Sequence, residues 1–327
     1  MRLGGKAKYF AYLKDKTDIP NAVDWARDKK LPIKVIGSGS NIIWGDKGFN
    51  GLVLVNKIPG IKFTKINQEE TFLIVGAGEI WDEVVEKSVA KKLHGIEALS
   101  LIPGTTGATP VQNVGAYGQE VSDTLESVEA YDTKTNQFVI IPNDSCEFGY
   151  RTSRFKASDK ERFIITELTF SLSNENPKPP FYESLQRYID VLNIKKFNVK
   201  IIRELVIAVR RSKLPDPIKV ANNGSFFANP TVSKKTHDKI KKENPDLVSY
   251  KVKGGYKIPA AWLMQKAGFR DKHDKLTGMA TWHSHPLVLV NENAKTTANL
   301  IKFRDKIQGK VFDKFGVSLQ QEPELIN

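Results

Sequence analysis

Apolar and polar positions along this chain follow two periods in turn. Residues 20–30 carry Ala22, Val23 and Ala26 at helical spacing, and Pro32 closes the segment, which predicts a helix. "IKVIG" then reads as a short apolar strand ending in "GSGSN", and "GLVLVN" at residues 51–56 as a second strand. A third, "TFLIVGAG", begins at Thr71. It leads into a helix over about residues 80–92 whose Trp81, Val84, Val85 and Val89 share a face, with Gly95 past its end. "LESVEAYDTKTNQFVII" is a hairpin around the turn-prone "DTKTN", and "RFIITELTFSL" is a further strand. "SNENPKPPFYES" reads as a loop or linker, and "RSKLPDPIKVANNGS" as a long irregular connection. Helices follow near residues 233–242, 260–266 and 297–315, with Leu300, Ile307 and Val311 along one side of the last, and "PLVLVN" is a strand. No fixed-period repeat occurs. The pattern predicts two adjacent α+β lobes, residues 1–58 and 59–200, and a third domain over residues 201–327.

A length of 327 residues agrees with several domains, and 40% hydrophobic with 27% charged residues is ordinary for a globular protein. No run of eighteen apolar residues implies a membrane span, and "MRLGGKAKYF" lacks the apolar core of a secretory signal. Cys146 is the single cysteine, which excludes an internal disulfide and fits a reducing cytoplasm. The net charge of +13 admits a nucleic-acid partner or small anionic ligands. Its lysine pairs are scattered without interleaved aromatics, so most of them read as solvated surface.

One segment resists a structural reading. "IPGTTGATPVQNVGAYGQE", residues 102–120, has four glycines, two prolines and no charge before its last residue. Proline and glycine rule out an ordinary helix or central strand. Disorder fits badly, because Ile102, Val111 and Val114 would be exposed. Small residues at Thr105, Thr106, Ala108 and Thr109 leave room beside the backbone, Gln112 and Asn113 suit the edge of a planar heterocycle, and Tyr117 offers a ring and a hydroxyl. "GSGSN" (Gly37, Ser38, Gly39, Ser40, Asn41) follows a strand and can nest a pyrophosphate on backbone N–H groups. Taken alone it is equally a tight turn, since Ile42 stands where a dinucleotide fingerprint needs a third glycine.

"GSGSNII", the 102–120 segment, "FGYRTSRFK", "KLPDP", "NGSFFANP", "AAWLMQKAGF" and "EPE" occur in this order. Together they resemble the UDP-N-acetylenolpyruvoylglucosamine reductase family over nearly the whole chain. The resemblance implies an α+β fold, a two-lobed FAD-binding unit of the vanillyl-alcohol-oxidase (PCMH) type followed by an α/β substrate-binding domain. It implies non-covalent FAD, NADPH as co-substrate and a small nucleotide-sugar substrate, with no nucleic-acid or membrane partner, in a cytoplasmic protein for which a monomer is favoured. The cofactor would lie on Gly37, Ser38, Gly39, Ser40, Asn41, Pro103, Gly104, Thr105, Thr106, Gly107, Gln112, Asn113, Gly115 and Ala116.

The resemblance also assigns roles. Arg151 matches the arginine that stabilises a substrate enolate, Ser225 the serine that donates a proton, and Glu324 the glutamate that assists nearby. Tyr117, Lys213, Asn229 and His285 match substrate-side residues, and Tyr182 sits where one subgroup of the family has a tyrosine loop closing over the substrate diphosphate. "HSH" at residues 283–285 reads as a non-metal loop. The chain departs from the family at Thr152, where aspartate is common, at Ala228, where lysine is frequent, and at Ile326, where an arginine is expected; the run before "RLGG" is also shorter. Two competing readings are another FAD oxidoreductase on this scaffold, such as an alcohol or sugar oxidase, and a basic nucleic-acid-binding protein. Residues 102–120 lack the His or Cys that tethers flavin in many such oxidases, and no helix-turn-helix, zinc-finger or RNP-like motif supports the second.

Overall fold

The structure, a computed structural model, describes residues 1–327, which fall into two units by their contacts. The larger unit holds Ala7–Ser40 and Asn50–Arg210; the smaller holds Met1–Lys6, Asn41–Phe49 and Arg211–Asn327.

In the larger unit, strand Phe163–Ser173 is buried at nearly every second position, as a strand with one face on a core must be. It is central in a five-stranded antiparallel sheet, ordered Gln137–Pro142, Leu125–Asp132, Phe163–Ser173, Glu70–Gly76, Ile61–Lys65. Helix Trp81–Ala90 packs Trp81, Val84, Val85 and Val89 against Leu73, Val75, Leu168 and Phe170. The fully buried Trp81 ring donates its Nε1–H to the Leu99 carbonyl at 3.1 Å, so its polar atom is satisfied. A three-stranded sheet, ordered Ala7–Leu13, Phe49–Asn56, Ile33–Ile36, carries helix Ile19–Asp28 on Ile19, Val23 and Ala26. Its last two strands pair in parallel.

Two helices depart from the sequence expectation. Glu183–Val191 begins inside the stretch read as a loop, and Val199–Lys213 runs into the stretch read as irregular. Leu185 and Ile189 of the first pack on Ile202, Leu205, Val206 and Val209 of the second, and this shared apolar face outweighs the proline-rich flanks.

The smaller unit is built on a four-stranded sheet, ordered Asn222–Ser225, His285–Asn291, Met279–Trp282, His273–Asp274. Asn222–Ser225 is therefore a strand where an irregular connection was expected. Helix Thr297–Phe315 lines the core with Leu300, Phe303, Ile307 and Val311. Asn41–Phe49 belongs here because Ile42–Trp44 pairs in parallel with Glu324–Ile326. Asp46 closes the helix start, its two carboxylate oxygens accepting the Thr297 and Ala298 N–H groups at 2.6 and 2.9 Å, while Thr297 Oγ1 donates to the Trp44 carbonyl at 2.6 Å. Orphan N–H groups at a helix N-terminus favour such an anionic cap.

Asp46→Ala should therefore destabilise this unit by about 1–2 kcal/mol. The measurement is urea unfolding, with a lower midpoint at an unchanged m-value expected; an unchanged midpoint would remove the cap from the account.

Candidate active site

In the larger unit the two glycine-rich runs meet. Ser40 Oγ donates to the Pro103 carbonyl at 3.0 Å. A Cβ on Gly37 would lie 2.1 Å from Thr105 Oγ1 and 3.2 Å from Thr105 Cβ, so Gly37 is needed for room. Gly39 turns the run at φ +74. Residues 104–107 are fixed by their own backbone: Trp81 N–H donates to Gly104 O at 3.1 Å, Thr106 N–H to Glu79 O at 2.9 Å and Gly107 N–H to Ala77 O at 2.9 Å. Thr106–Ala108 forms a short 3-10 turn. Ile102, Val111 and Val114 pack on the core, so the segment is ordered.

Gly115–Ala116 pairs with Gln119–Glu120 across a tight turn in which Tyr117 (φ +51) and Gly118 (φ +87) are both left-handed, as a two-residue hairpin of this hand requires. Asn113 is 1% exposed, and its amide is committed to the protein. Nδ2 donates to Glu120 Oε2 at 2.7 Å and the Gly149 carbonyl at 3.4 Å, and Oδ1 accepts from Ser122 N–H at 3.0 Å. Asn113 thus shapes the hairpin. Gln112 Oε1 accepts from Lys156 Nζ at 3.3 Å.

Arg151 lies in the turn closed by the reciprocal Gly149–Thr152 backbone bonds, at φ +56. Its Nη2 donates to the Gly115 carbonyl at 2.8 Å, and the guanidinium lies 5.2 Å from the Tyr150 ring centroid. This arrangement joins Arg151 to the hairpin carrying Tyr117. The Tyr117 ring meets Tyr182 edge-on at 6.0 Å, and its hydroxyl lies by the Arg210 guanidinium. Burial raises the Tyr117 hydroxyl above the ordinary tyrosine range, and burial likewise lowers Arg210.

In the smaller unit, Gly224 takes φ +69 and its N–H donates to Asn222 Oδ1 at 2.8 Å. Ser225 sits opposite Val288, after an irregularity in the pairing with strand His285–Asn291. Phe226 and Phe227 behind it are buried, and Phe226 N–H donates to Leu287 O at 2.8 Å. The C-terminal segment runs antiparallel to residues 226–228: Glu322 N–H donates to Phe226 O at 2.9 Å, Ala228 N–H to Gln320 O at 3.0 Å, and Phe227 bridges Gln321. Glu324 N–H donates to the Asn41 carbonyl at 3.0 Å. Asn229 Oδ1 accepts the Ala260 N–H at 2.9 Å, capping helix Ala260–Lys266. His285 is lowered below the usual histidine range, by burial first and by the Lys213 charge second.

Sequence reasoning passed over Arg210 and Lys156. Arg210 stands three residues before Lys213 in "RRSKLPDP", and Lys156 closes the quoted "FGYRTSRFK"; helical spacing from Lys213 is the signal that would have found the former. The single cysteine lies outside the site, with its thiol pushed up to about 11 by burial.

Several buried polar atoms here lack a partner in the protein: Thr105 Oγ1 where the glycine-rich runs meet, Arg210 Nε beside Tyr117, and His285 Nδ1. Buried polar groups are normally paired. A cradle without room for side chains, with a buried hydroxyl and a guanidinium N–H left over, fits a ligand that brings its own polar atoms against the backbone.

Comparisons agree with that chemistry. Sequence models of two families match: an FAD binding domain over residues 7–139, and the C-terminal domain of UDP-N-acetylenolpyruvoylglucosamine reductase over residues 216–326. The UDP-N-acetylenolpyruvoylglucosamine reductase of Ralstonia nicotianae is 37% identical over 329 residues, covering 99% of this chain and 95% of its own. That of Alcanivorax borkumensis is 41% identical over 301 residues, covering 92% and 86%. The crystal structure of the Thermus caldophilus UDP-N-acetylenolpyruvylglucosamine reductase has the same fold, with a TM-score of 0.65 at 18% identity over 97% of this chain and 92% of its own.

Gly37→Ala should push Thr105 out of place and lower the flavin bound per chain at least about tenfold, or 1.4 kcal/mol. Flavin released on denaturation, divided by protein concentration, gives the readout. Wild-type occupancy would show that the close approach of Gly37 to Thr105 is dispensable.

Proposed function

Because the chain belongs to the UDP-N-acetylenolpyruvoylglucosamine reductase (MurB) family, we propose that Arg151, Ser225 and Glu324 carry its reaction. It is a UDP-N-acetylmuramate dehydrogenase of peptidoglycan precursor synthesis, acting on a nucleotide-sugar substrate with FAD and NADPH. FAD held at this site would supply the hydride chemistry that links NADPH to the β-carbon of the substrate's enol ether.

The protein's part is positioning and proton delivery. Negative charge develops on the substrate carboxylate, and Arg151 stabilises it with its guanidinium, which the bond to the Gly115 carbonyl and the Tyr150 face hold in place. Ser225 Oγ delivers the proton to the α-carbon, and Glu324 assists. A free serine hydroxyl is a very weak acid, so the step demands close placement against a strongly basic carbon. What supports the reading most is the antiparallel pairing of residues 320–322 with residues 226–228, the two runs that carry Glu324 and Ser225 just beyond it.

Gly37, Ser38, Gly39, Ser40 and Asn41, with Pro103, Gly104, Thr105, Thr106, Gly107, Gln112, Gly115 and Ala116, hold the flavin non-covalently, and Asn113 shapes their loop. Tyr117, Lys213, Asn229 and His285 face the nucleotide sugar. Tyr182 belongs to a tyrosine loop of the kind one subgroup uses, and its exposed ring against Tyr117 supports this. The proposal includes a monomeric enzyme working in the cytoplasm. No helix of the structure is long and apolar enough to cross a membrane.

The purified protein should be yellow. NADPH should bleach it, and UDP-N-acetylglucosamine enolpyruvate should restore the colour without oxygen; bleaching with no restoration by this substrate would reject the proposed roles together with the substrate. Ser225→Ala should bleach with NADPH at close to the wild-type rate and recolour with substrate at least about a hundredfold more slowly. Stopped-flow absorbance separates the two half-reactions, and wild-type recolouring would take the proton-donor role from Ser225.

A further inference from the structure

Helix Val199–Lys213 carries two buried or half-buried guanidinium groups seven residues apart, Arg203 and Arg210. Seven residues return to nearly the same face of a helix, about 10.5 Å further along. Each meets one end of the glycine-rich segment. At its start, Arg203 Nη1 bonds Asp82 Oδ1 at 2.6 Å and Ser100 Oγ at 2.9 Å, and Nη2 bonds Asp82 Oδ2 at 3.2 Å. The same Asp82 Oδ1 accepts the Leu101 N–H at 2.5 Å, and Ser100 Oγ donates to Glu97 O at 2.6 Å. Near the far end of the segment, the Arg210 guanidinium lies by the Tyr117 hydroxyl.

Leu101 is held at φ +58, a left-handed conformation that a leucine keeps only when its surroundings impose it. The Asp82 bond imposes it at the residue from which the chain turns into Ile102 and Pro103. Buried Ile202, Leu205, Val206 and Val209 lock the helix itself, so both anchors stand on one rigid element.

We propose that helix Val199–Lys213 is a splint for the flavin loop, with Arg203 and Asp82 as positioning residues that set the direction in which the loop leaves Leu101. The inference rests on reading residues 102–120 as the FAD cradle. Neither residue need touch the cofactor; they act through the backbone of Leu101, and through it on Pro103, Gly104 and Thr105.

The test titrates FAD into apoprotein, following flavin fluorescence, with the visible circular dichroism of the bound flavin and the melting temperature of the apoprotein as parallel readouts. Asp82→Ala and Arg203→Met should each raise the FAD Kd at least about tenfold and change the dichroism of the flavin that does bind. Arg203→Lys, which keeps the charge but loses the two-pronged geometry, should fall between them and wild type. Leu101→Gly placed on Asp82→Ala should recover at least about threefold of the lost affinity, because glycine takes the left-handed conformation unaided. Variants that melt lower yet bind FAD within twofold of wild type, with its dichroism, would overturn the splint and leave a structural ion pair. Should Arg203→Met not fold, Arg203→Lys and the Asp82→Ala pair decide the question on the same criteria. Wild-type apoprotein that takes up no FAD would instead sink the cofactor reading, and the splint with it.

Discussion

The site in the larger unit depends on a short run of backbone hydrogen bonds between residues 104–107 and 77–81. A segment so poor in side chains has little apolar surface with which to hold itself in place. It is held by its amides and carbonyls: Gly104 O, Thr106 N–H and Gly107 N–H all find partners on the stretch joining strand Glu70–Gly76 to helix Trp81–Ala90. Each such bond is worth only about 1 kcal/mol net, but a buried amide left unpaired costs about 1–3 kcal/mol. The segment therefore has few alternative conformations at these positions. The same bonds decide which groups are unavailable to a ligand: Thr106 and Gly107 face the scaffold with their N–H groups, while the Thr105 hydroxyl between the two runs has no protein partner.

Charge is used sparingly and in fixed places, although the chain carries +13. Most of the excess is on exposed lysines. The arginines at the site have fixed neighbours: Arg151 bonds the Gly115 carbonyl, Arg203 pairs with Asp82, and Arg210 lies by the Tyr117 hydroxyl. Each of these contacts costs the guanidinium group freedom of position. An arginine paired with a carboxylate would have much of its field cancelled. Arg203 is in that position, its charge spent on Asp82.

Much of this was legible in the sequence wherever a long period was intact. Thr297–Phe315 has its N-cap at Thr296 and its left-handed glycine at Gly316, and the apolar stripe between them is unbroken. The strands 51–56 and 162–172, the hairpin after Leu125 and the helix beginning near Trp81 were readable for the same reason. Expectation and structure part company where tertiary partners decide. Pro215 and Pro217 coloured the reading of their whole neighbourhood, yet helix Val199–Lys213 ends before them, and Asn222–Ser225 becomes a strand because Val288 and Val290 lie ready to pair with it. The attachment of Asn41–Phe49 to the chain's last residues is a parallel pairing between segments far apart in sequence, which no local pattern encodes. At the candidate site, residue types singled out the segments, but the inward commitment of Asn113 and the pairing of Arg203 with Asp82 are visible only in three dimensions.

The two glycine-bearing motifs show why a motif match and a physical reason are different things. At Gly37 the backbone is unexceptional and the need is for space: any Cβ would run into Thr105, itself 1% exposed with nowhere to retreat. At Gly224 the need is reversed. No atom lies within 4 Å of where a Cβ would be, but φ is +69, so a side chain there would meet a conformational cost of roughly 1–2 kcal/mol rather than a clash. The first glycine lets two segments close on each other; the second turns the chain so that Ser225 leaves the sheet in one direction while Phe226 and Phe227 anchor the residues behind it. In the proton-donor role proposed for Ser225, the hydroxyl gains nothing from local electrostatics that its free pKa could exploit. Its reactivity has to come from placement, and a left-handed turn backed by two buried rings is a way to restrict that placement using backbone and packing alone.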